Sequence, residues 1–245
     1  MIFRSTDLVT VPSVARFLAW WTGRVELVGV EHLPTRGPAL VVVNHTTIAD
    51  TPIVLASLDR NGLKPISSHA PGHSPDCSDH AHVRFLATQE VFDHVVLGPI
   101  LRRSGFIPVL PSGPDRVGAY EQAEAALLAG EIVALYPEGD VTSPEEGAPR
   151  RLRSGAARMA LATNVPIVVI AHHDARDIGH GTEGETLRAA FTAIWRRPKI
   201  VMVVGRQIEP AEYAGKLPLD VTRLIRERLV ETWQQARDLR DARRR

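Results

Sequence analysis

Two periodicities alternate along this chain. Short apolar runs, rich in valine and isoleucine and bounded by glycine or proline, read as strands. Between them, apolar positions recur at helical spacing. Strands are expected at Val25–Val30, Ala39–Val43, Val83–Ala87, Phe106–Leu110, Ile132–Tyr136, Ile167–Ile170 and Ile200–Val204. Helices are expected from Asp50 onward and over Val91–Arg103, Arg116–Leu128, Gly155–Thr163 and Leu187–Trp195. A last helix, within 218–245, carries the stripe Val221, Leu224, Ile225, Leu229, Trp233 and Ala236. This βαβα rhythm predicts an α/β fold: one domain over 1–245, its mixed, largely parallel sheet flanked by helices. No internal repeat and no low-complexity linker interrupts it.

Two segments break the rhythm. In residues 1–23, Val14, Phe17, Leu18 and Trp21 share one helical face, which Trp20 widens, with Arg16 and Arg24 flanking it. Such an amphipathic helix suits either a lipid interface or packing on the sheet. Residues 61–82 read as a loop insertion holding His69, His73, Cys77, His80 and His82. These spacings match no established zinc motif, so no metal is expected, and the segment reads as a flap near a site or a disordered loop.

Composition narrows the function classes. The chain of 245 residues is 44% hydrophobic, enough for a sizeable core. The single cysteine excludes an internal disulfide, and no apolar run approaches a bilayer span. No leader is visible at the start, so a cytoplasmic location is expected, with any membrane contact peripheral and at the inner face. Net charge is +1 but uneven: from Arg196 onward thirteen Lys/Arg stand against seven Asp/Glu. That basic end suits anionic lipid or another acidic partner; equally, it suits a solvated helix end. Aromatic content of 5% and the absence of a known module argue against nucleic acid.

The densest chemistry lies in Asn44-His45-Thr46-Thr47-Ile48-Ala49-Asp50, directly after the apolar run Ala39–Val43. A strand there delivers His45 to its C-terminal edge, where ligands bind in open α/β sheets. On one regular helix, positions five apart would lie about 140° apart around the axis. His45 and Asp50 therefore meet only if the chain turns between them and a helix starts at Asp50, as Asp50-Thr51-Pro52 suggests. A carboxylate on imidazole fixes its tautomer and stabilises its protonated form, which makes His45 a candidate general base. The alternative is that Asp50 only caps the helix.

Asn44-His45 with Asp50 resembles the N-H-x-x-x-x-D signature of the glycerolipid acyltransferases. Three further stretches resemble that family's later blocks, in its order: Gly105-Phe106-Ile107-Pro108-Val109, Tyr136-Pro137-Glu138-Gly139 and Val165-Pro166-Ile167-Val168. Arg153-Ser154-Gly155-Ala156-Ala157 also resembles the family, and the likeness covers roughly residues 24–206. The resemblance implies transfer of an acyl group from acyl-coenzyme A or acyl carrier protein to a lipid-like hydroxyl acceptor, with no resident cofactor. It makes His45 and Asp50 the catalytic pair and places Gly105, Phe106, Ile107, Glu138 and Gly139 at the acceptor.

Two departures bear on the acceptor. The family's second and third blocks commonly carry arginines associated with the acceptor phosphate; here Leu110-Pro111 and Asp140-Val141-Thr142 stand there. Arginine suits phosphate through its planar fork of donors, which proline and valine lack. Arg102, Arg103, Arg116, Arg150, Arg151 and Arg153 are candidate substitutes. The expected activity is acylation of a lysophospholipid such as 1-acyl-sn-glycerol-3-phosphate. The alternatives are an acceptor without phosphate (a glycolipid, an aminolipid or a specialised metabolite) and a catalytically weak acyl-thioester-binding protein.

Overall fold

The computed structural model describes residues 24–47, 50–65, 81–93, 97–103, 105–109, 115–139, 148–173, 195 and 199–244. The described strands are β1 (Arg24–Val28), β2 (Ala39–Val43), β3 (Leu63–Pro65), β4 (Ala81–Thr88), β5 (Ile107–Val109), β6 (Ile132–Leu135), β7 (Ile167–His173) and β8 (Lys199–Val204). The helices are α1 (Asp50–Arg60), α2 (Gln89–Asp93), α3 (Leu97–Arg103), α4 (Asp115–Leu128), α5 (Gly155–Thr163), α6 (Pro210–Tyr213) and α7 (Pro218–Arg244). The strands join in one sheet of order β1-β8-β7-β2-β6-β4-β3, with β5 paired to β4. Every described pairing of these strands is parallel except β7 with β8.

β2 lies at the centre between β6 and β7, and every one of its residues is buried. Alternation explains this. Ala39, Val41 and Val43 enter a cluster with Ile53 and Leu58 of α1 and with Phe85 and Phe92. Leu40 and Val42 enter the opposite cluster with α4, α5 and α7, including Leu127, Met159, Ile225 and Trp233. Both faces are covered, so the strand needs apolar residues at every position, as parallel strands generally do. Of the stripe expected on α7, Val221, Ile225, Leu229, Trp233 and Ala236 are buried and Leu224 is half-buried.

Three sequence expectations change. Val91–Arg103 is not one helix: Gly98 of α3 approaches the Phe92 carbonyl so closely that a Cβ there would lie 1.9 Å from that oxygen, so α3 packs across α2. β7 runs on past Ile170 to His173, because Ile170–His173 pair antiparallel with Val201–Val204. The expected loop at 61–82 is shorter, since Leu63–Pro65 pair with Ala81–Val83 as β3 and the start of β4. The 1–23 helix, the His/Cys group at 69–80 and the helix expected at 187–194 lie outside the described residues.

Several arginines of the basic end are engaged within the fold. Arg243 pairs with Glu26 at 2.5 Å, Arg228 lies 3.5 Å from Glu212, and Arg226 Nε donates to the Arg150 carbonyl at 2.7 Å. Among the described residues, no helix is long and apolar enough to cross a membrane.

Candidate active site

The C-terminal ends of β2, β6 and β7 lie side by side, and each chain continues into the same place. Register pairs Val43 with Ile170 and Val42 with Leu135, so Asn44 and His45 leave the sheet beside His172 and beside Tyr136–Glu138. Asn44 ties these ends together. Its Nδ2 donates to the His172 carbonyl at 3.1 Å, and its Oδ1 accepts the His172 N–H at 2.9 Å.

Asp50 is fully buried at the start of α1. Its Oδ2 accepts from Thr46 N–H at 2.5 Å, from Thr47 N–H at 2.9 Å and from His45 Nδ1 at 3.0 Å. Its Oδ1 accepts the Thr46 hydroxyl at 3.3 Å. The carboxylate thus turns back on the loop that precedes it and closes the turn the His-x4-Asp spacing requires. A buried carboxylate needs this many donors to offset its lost hydration. Capping alone does not describe Asp50.

His45 is held from three sides. Its Nδ1 meets Asp50, its backbone N–H donates to Glu138 Oε1 at 2.7 Å, and its ring stacks on Tyr136 at 4.1 Å and 18°. The Tyr136 hydroxyl donates to Thr51 Oγ1 at 3.1 Å. Burial, and then the charge of Asp50, push the Tyr136 phenol far above its usual range, so it stays neutral. With Nδ1 engaged as a donor, Nε2 is the basic nitrogen of a neutral His45. The His45 side chain is 15% exposed while that of Asp50 is 0%, so within this pair only the imidazole reaches the surface.

The third block closes the site. Glu138 is buried, and Gly139 adopts φ +71° in the turn after β6. The side chain of Arg153 lies over Gly139: a Cβ there would come 2.5 Å from Arg153 Nε. Arg153 N–H also donates to the Pro137 carbonyl at 2.8 Å, which fixes this segment against the turn. Arg102, Arg150, Arg151 and Arg153 are exposed. Pro111 and Val141 lie outside the described residues, as do the side chains of Arg103 and Arg116.

The second block sits differently. Gly105 makes a positive-φ turn at +66°, whereas Phe106 and Ile107 are buried in the two clusters, Phe106 stacking on Phe85 at 5.6 Å. Their side chains pack the β4–β5 edge. The 3.5 Å approach of His172 Nε2 to Asp50 Oδ1 appears only once β7 is seen beside β2. The sole signal was a histidine at the end of an apolar run.

The sequence matches the family described as Acyltransferase over residues 24–173, more than half of the chain, and the chain belongs to this family, that of the glycerolipid acyltransferases. It is 31% identical over 157 residues to uncharacterized proteins of Mycobacterium tuberculosis and Mycobacterium leprae. The match covers 62% of this chain but only 37% and 36% of those two proteins, so the chain spans little more than a third of the curated relatives it matches. The fold is similar to that of the 1-acyl-sn-glycerophosphate (LPA) acyltransferase, PlsC, from Thermotoga maritima. The TM-score is 0.64 at 17% identity, covering 94% of this chain and 78% of that one.

Proposed function

We propose that this protein transfers an acyl group from an acyl thioester, on coenzyme A or acyl carrier protein, to the hydroxyl of a lysophospholipid such as 1-acyl-sn-glycerol-3-phosphate. The observation that carries this is the His45–Asp50 pair at 3.0 Å, which leaves Nε2 as the base toward an acceptor. A hydroxyl is a weak nucleophile at neutral pH, so a base must take its proton as attack begins. The acceptor oxygen forms its bond to the thioester carbonyl while Nε2 takes the proton. The tetrahedral intermediate then collapses, and the thiolate leaves with that proton. Asp50 keeps Nδ1–H directed at itself and offsets the charge that develops on the ring. The acceptor is itself the nucleophile, so no acyl-enzyme is required.

Arg153 supports a phosphorylated acceptor. Its guanidinium-bearing side chain stands over Gly139, beside Glu138, and so supplies a fork donor at the third block although Val141 replaces the family's arginine. Gly105, Phe106, Ile107, Glu138 and Gly139 are the proposed acceptor-side segments, the buried Phe106 and Ile107 acting through backbone and packing. The second reading, an acceptor without phosphate, is favoured by the missing arginines of both blocks. Membrane contact on this reading is peripheral.

Thiol release from palmitoyl-coenzyme A with a panel of acceptors tests these readings. Release with lysophosphatidic acid that is lost in His45→Ala supports the first. Release only with unphosphorylated acceptors replaces it by the second. Acyl-thioester binding without turnover on any acceptor or carrier donor would leave a binding protein.

A further inference from the structure

Asp50 faces a second histidine. His172 Nε2 lies 3.5 Å from Asp50 Oδ1 and 3.1 Å from the Asn44 carbonyl oxygen, and the residue is fully buried. Both oxygens can only accept, so Nε2 carries the ring proton. Nδ1 meets no hydrogen-bond partner, so a second proton there would be buried without an acceptor. The titratable groups facing the ring are Asp50 from the start of α1, His45 after β2 and His173 beside it on β7. Burial holds the imidazole below its ordinary range against the opposing pull of Asp50, so His172 is neutral at pH 7. The contacts of Asp50 are unequal: Oδ2 takes three close donors, whereas Oδ1 has the Thr46 hydroxyl at 3.3 Å and this ring.

We infer that His172 is a positioning residue for the His45–Asp50 pair: as a neutral donor it holds the Asn44 carbonyl, flanks Asp50 Oδ1 so that Oδ2 is aimed at His45 Nδ1, and damps the negative charge that Asp50 presents to His45. This rests on the reading of His45 as the base. The position is anchored independently of the ring, because the two backbone hydrogen bonds from the Asn44 side chain fix where His172 stands. The ring can therefore be changed while its backbone stays in register. The damping follows from a polarised N–H that meets the Asn44 carbonyl at 3.1 Å and lies 3.5 Å from a buried carboxylate, where little water screens the interaction.

The test compares wild type, His45→Ala, His172→Phe, His172→Asn and His172→Gln in thiol release from palmitoyl-coenzyme A across pH. Phenylalanine fills the ring volume without a donor. The glutamine amide reaches the place of Nε2, and the shorter asparagine amide does not. His172→Phe and His172→Asn are expected to lower kcat about tenfold, the scale of one lost hydrogen bond, with KM little changed. The acid limb of their kcat/KM profile moves to higher pH, because the undamped carboxylate holds a proton on His45 more strongly. His172→Gln restores both rate and limb. A wild-type limb in the phenylalanine and asparagine variants, or failure of glutamine to restore it, overturns the inference. If phenylalanine does not fold, the asparagine–glutamine contrast decides alone. Retained release in His45→Ala instead removes the base assignment, and this inference with it. Loss in His45→Ala beside an unchanged His172→Phe profile removes this inference only.

Discussion

Asp50→Asn separates charge from hydrogen bonding at this site. The asparagine carbonyl can occupy the place of Oδ2, where Thr46 N–H, Thr47 N–H and His45 Nδ1 donate at 2.5, 2.9 and 3.0 Å. Its amide then occupies the place of Oδ1, facing the Thr46 hydroxyl and the donor His172 Nε2. The loop keeps its main contacts, and the mismatch at Oδ1 costs about 1–2 kcal/mol of stability. Catalysis loses more. A unit positive charge on the His45 ring and a unit negative charge on the carboxylate, about 4 Å apart between centres, attract by roughly 4 kcal/mol at an effective dielectric of about 20. That corresponds to about a thousandfold in rate. The assay is thiol release at pH 7 under saturating acceptor, with urea unfolding of the same preparations. A kcat lowered about 10³-fold in a protein that unfolds within about 2 kcal/mol of wild type is expected. A variant keeping more than a tenth of kcat would refute the charge argument, and one that fails to fold would show that Asp50 serves mainly to close the loop.

Three further outcomes follow from the geometry. Burial lowers the His172 proton affinity below its unfolded value of 6.5, so the unfolded chain binds more protons as pH falls. The stability from the neutral ring is therefore complete above about pH 6.5 and is lost below it, by up to ~1.4 kcal/mol per pH unit; His172→Gln should flatten this slope in urea melts at pH 5 and 7. Arg153→Ala should raise KM for lysophosphatidic acid about tenfold or more while leaving KM for the thioester unchanged, the loss of a charge-assisted contact. An equal effect on an unphosphorylated acceptor would count against the phosphate role. Trp233→Ala, removing a buried ring that packs on His173 at 5.2 Å, should cost about 3–5 kcal/mol in urea unfolding.

The sequence exposed those parts of the site that depend on local rules. Asp50-Thr51-Pro52 marked the helix start, Ala39–Val43 marked a strand buried on both faces, and the gap between them was short enough to be a turn. The His45–Asp50 contact follows from these three features, and α1, β2 and α7 stand where the pattern put them. Helix breaks were less visible. Val91–Arg103 keeps helical spacing throughout, yet Gly98 lets α3 cross α2 against the Phe92 carbonyl, a backbone approach that no periodicity records. The length of β7 was equally hidden, because His172 and His173 end its apolar pattern while antiparallel pairing with β8 continues through them.

What sequence could not supply is sheet order, and the site depends on it. Asn44, Tyr136, Glu138 and His172 are separated by as many as 128 residues, and they follow or end three different strands. Placing β2 between β6 and β7 converts these distant positions into neighbours of one imidazole. β6 then brings a stacking ring and a carboxylate to His45, and β7 brings a second histidine to its aspartate. The rigidity of the pair has the same origin. Its supports leave the ends of three adjacent strands whose side chains are packed on both faces, so displacing His45 requires disturbing the sheet that carries it. An acceptor hydroxyl must approach within about 3 Å of a base for proton transfer, and a base on a mobile loop would hold that distance only intermittently.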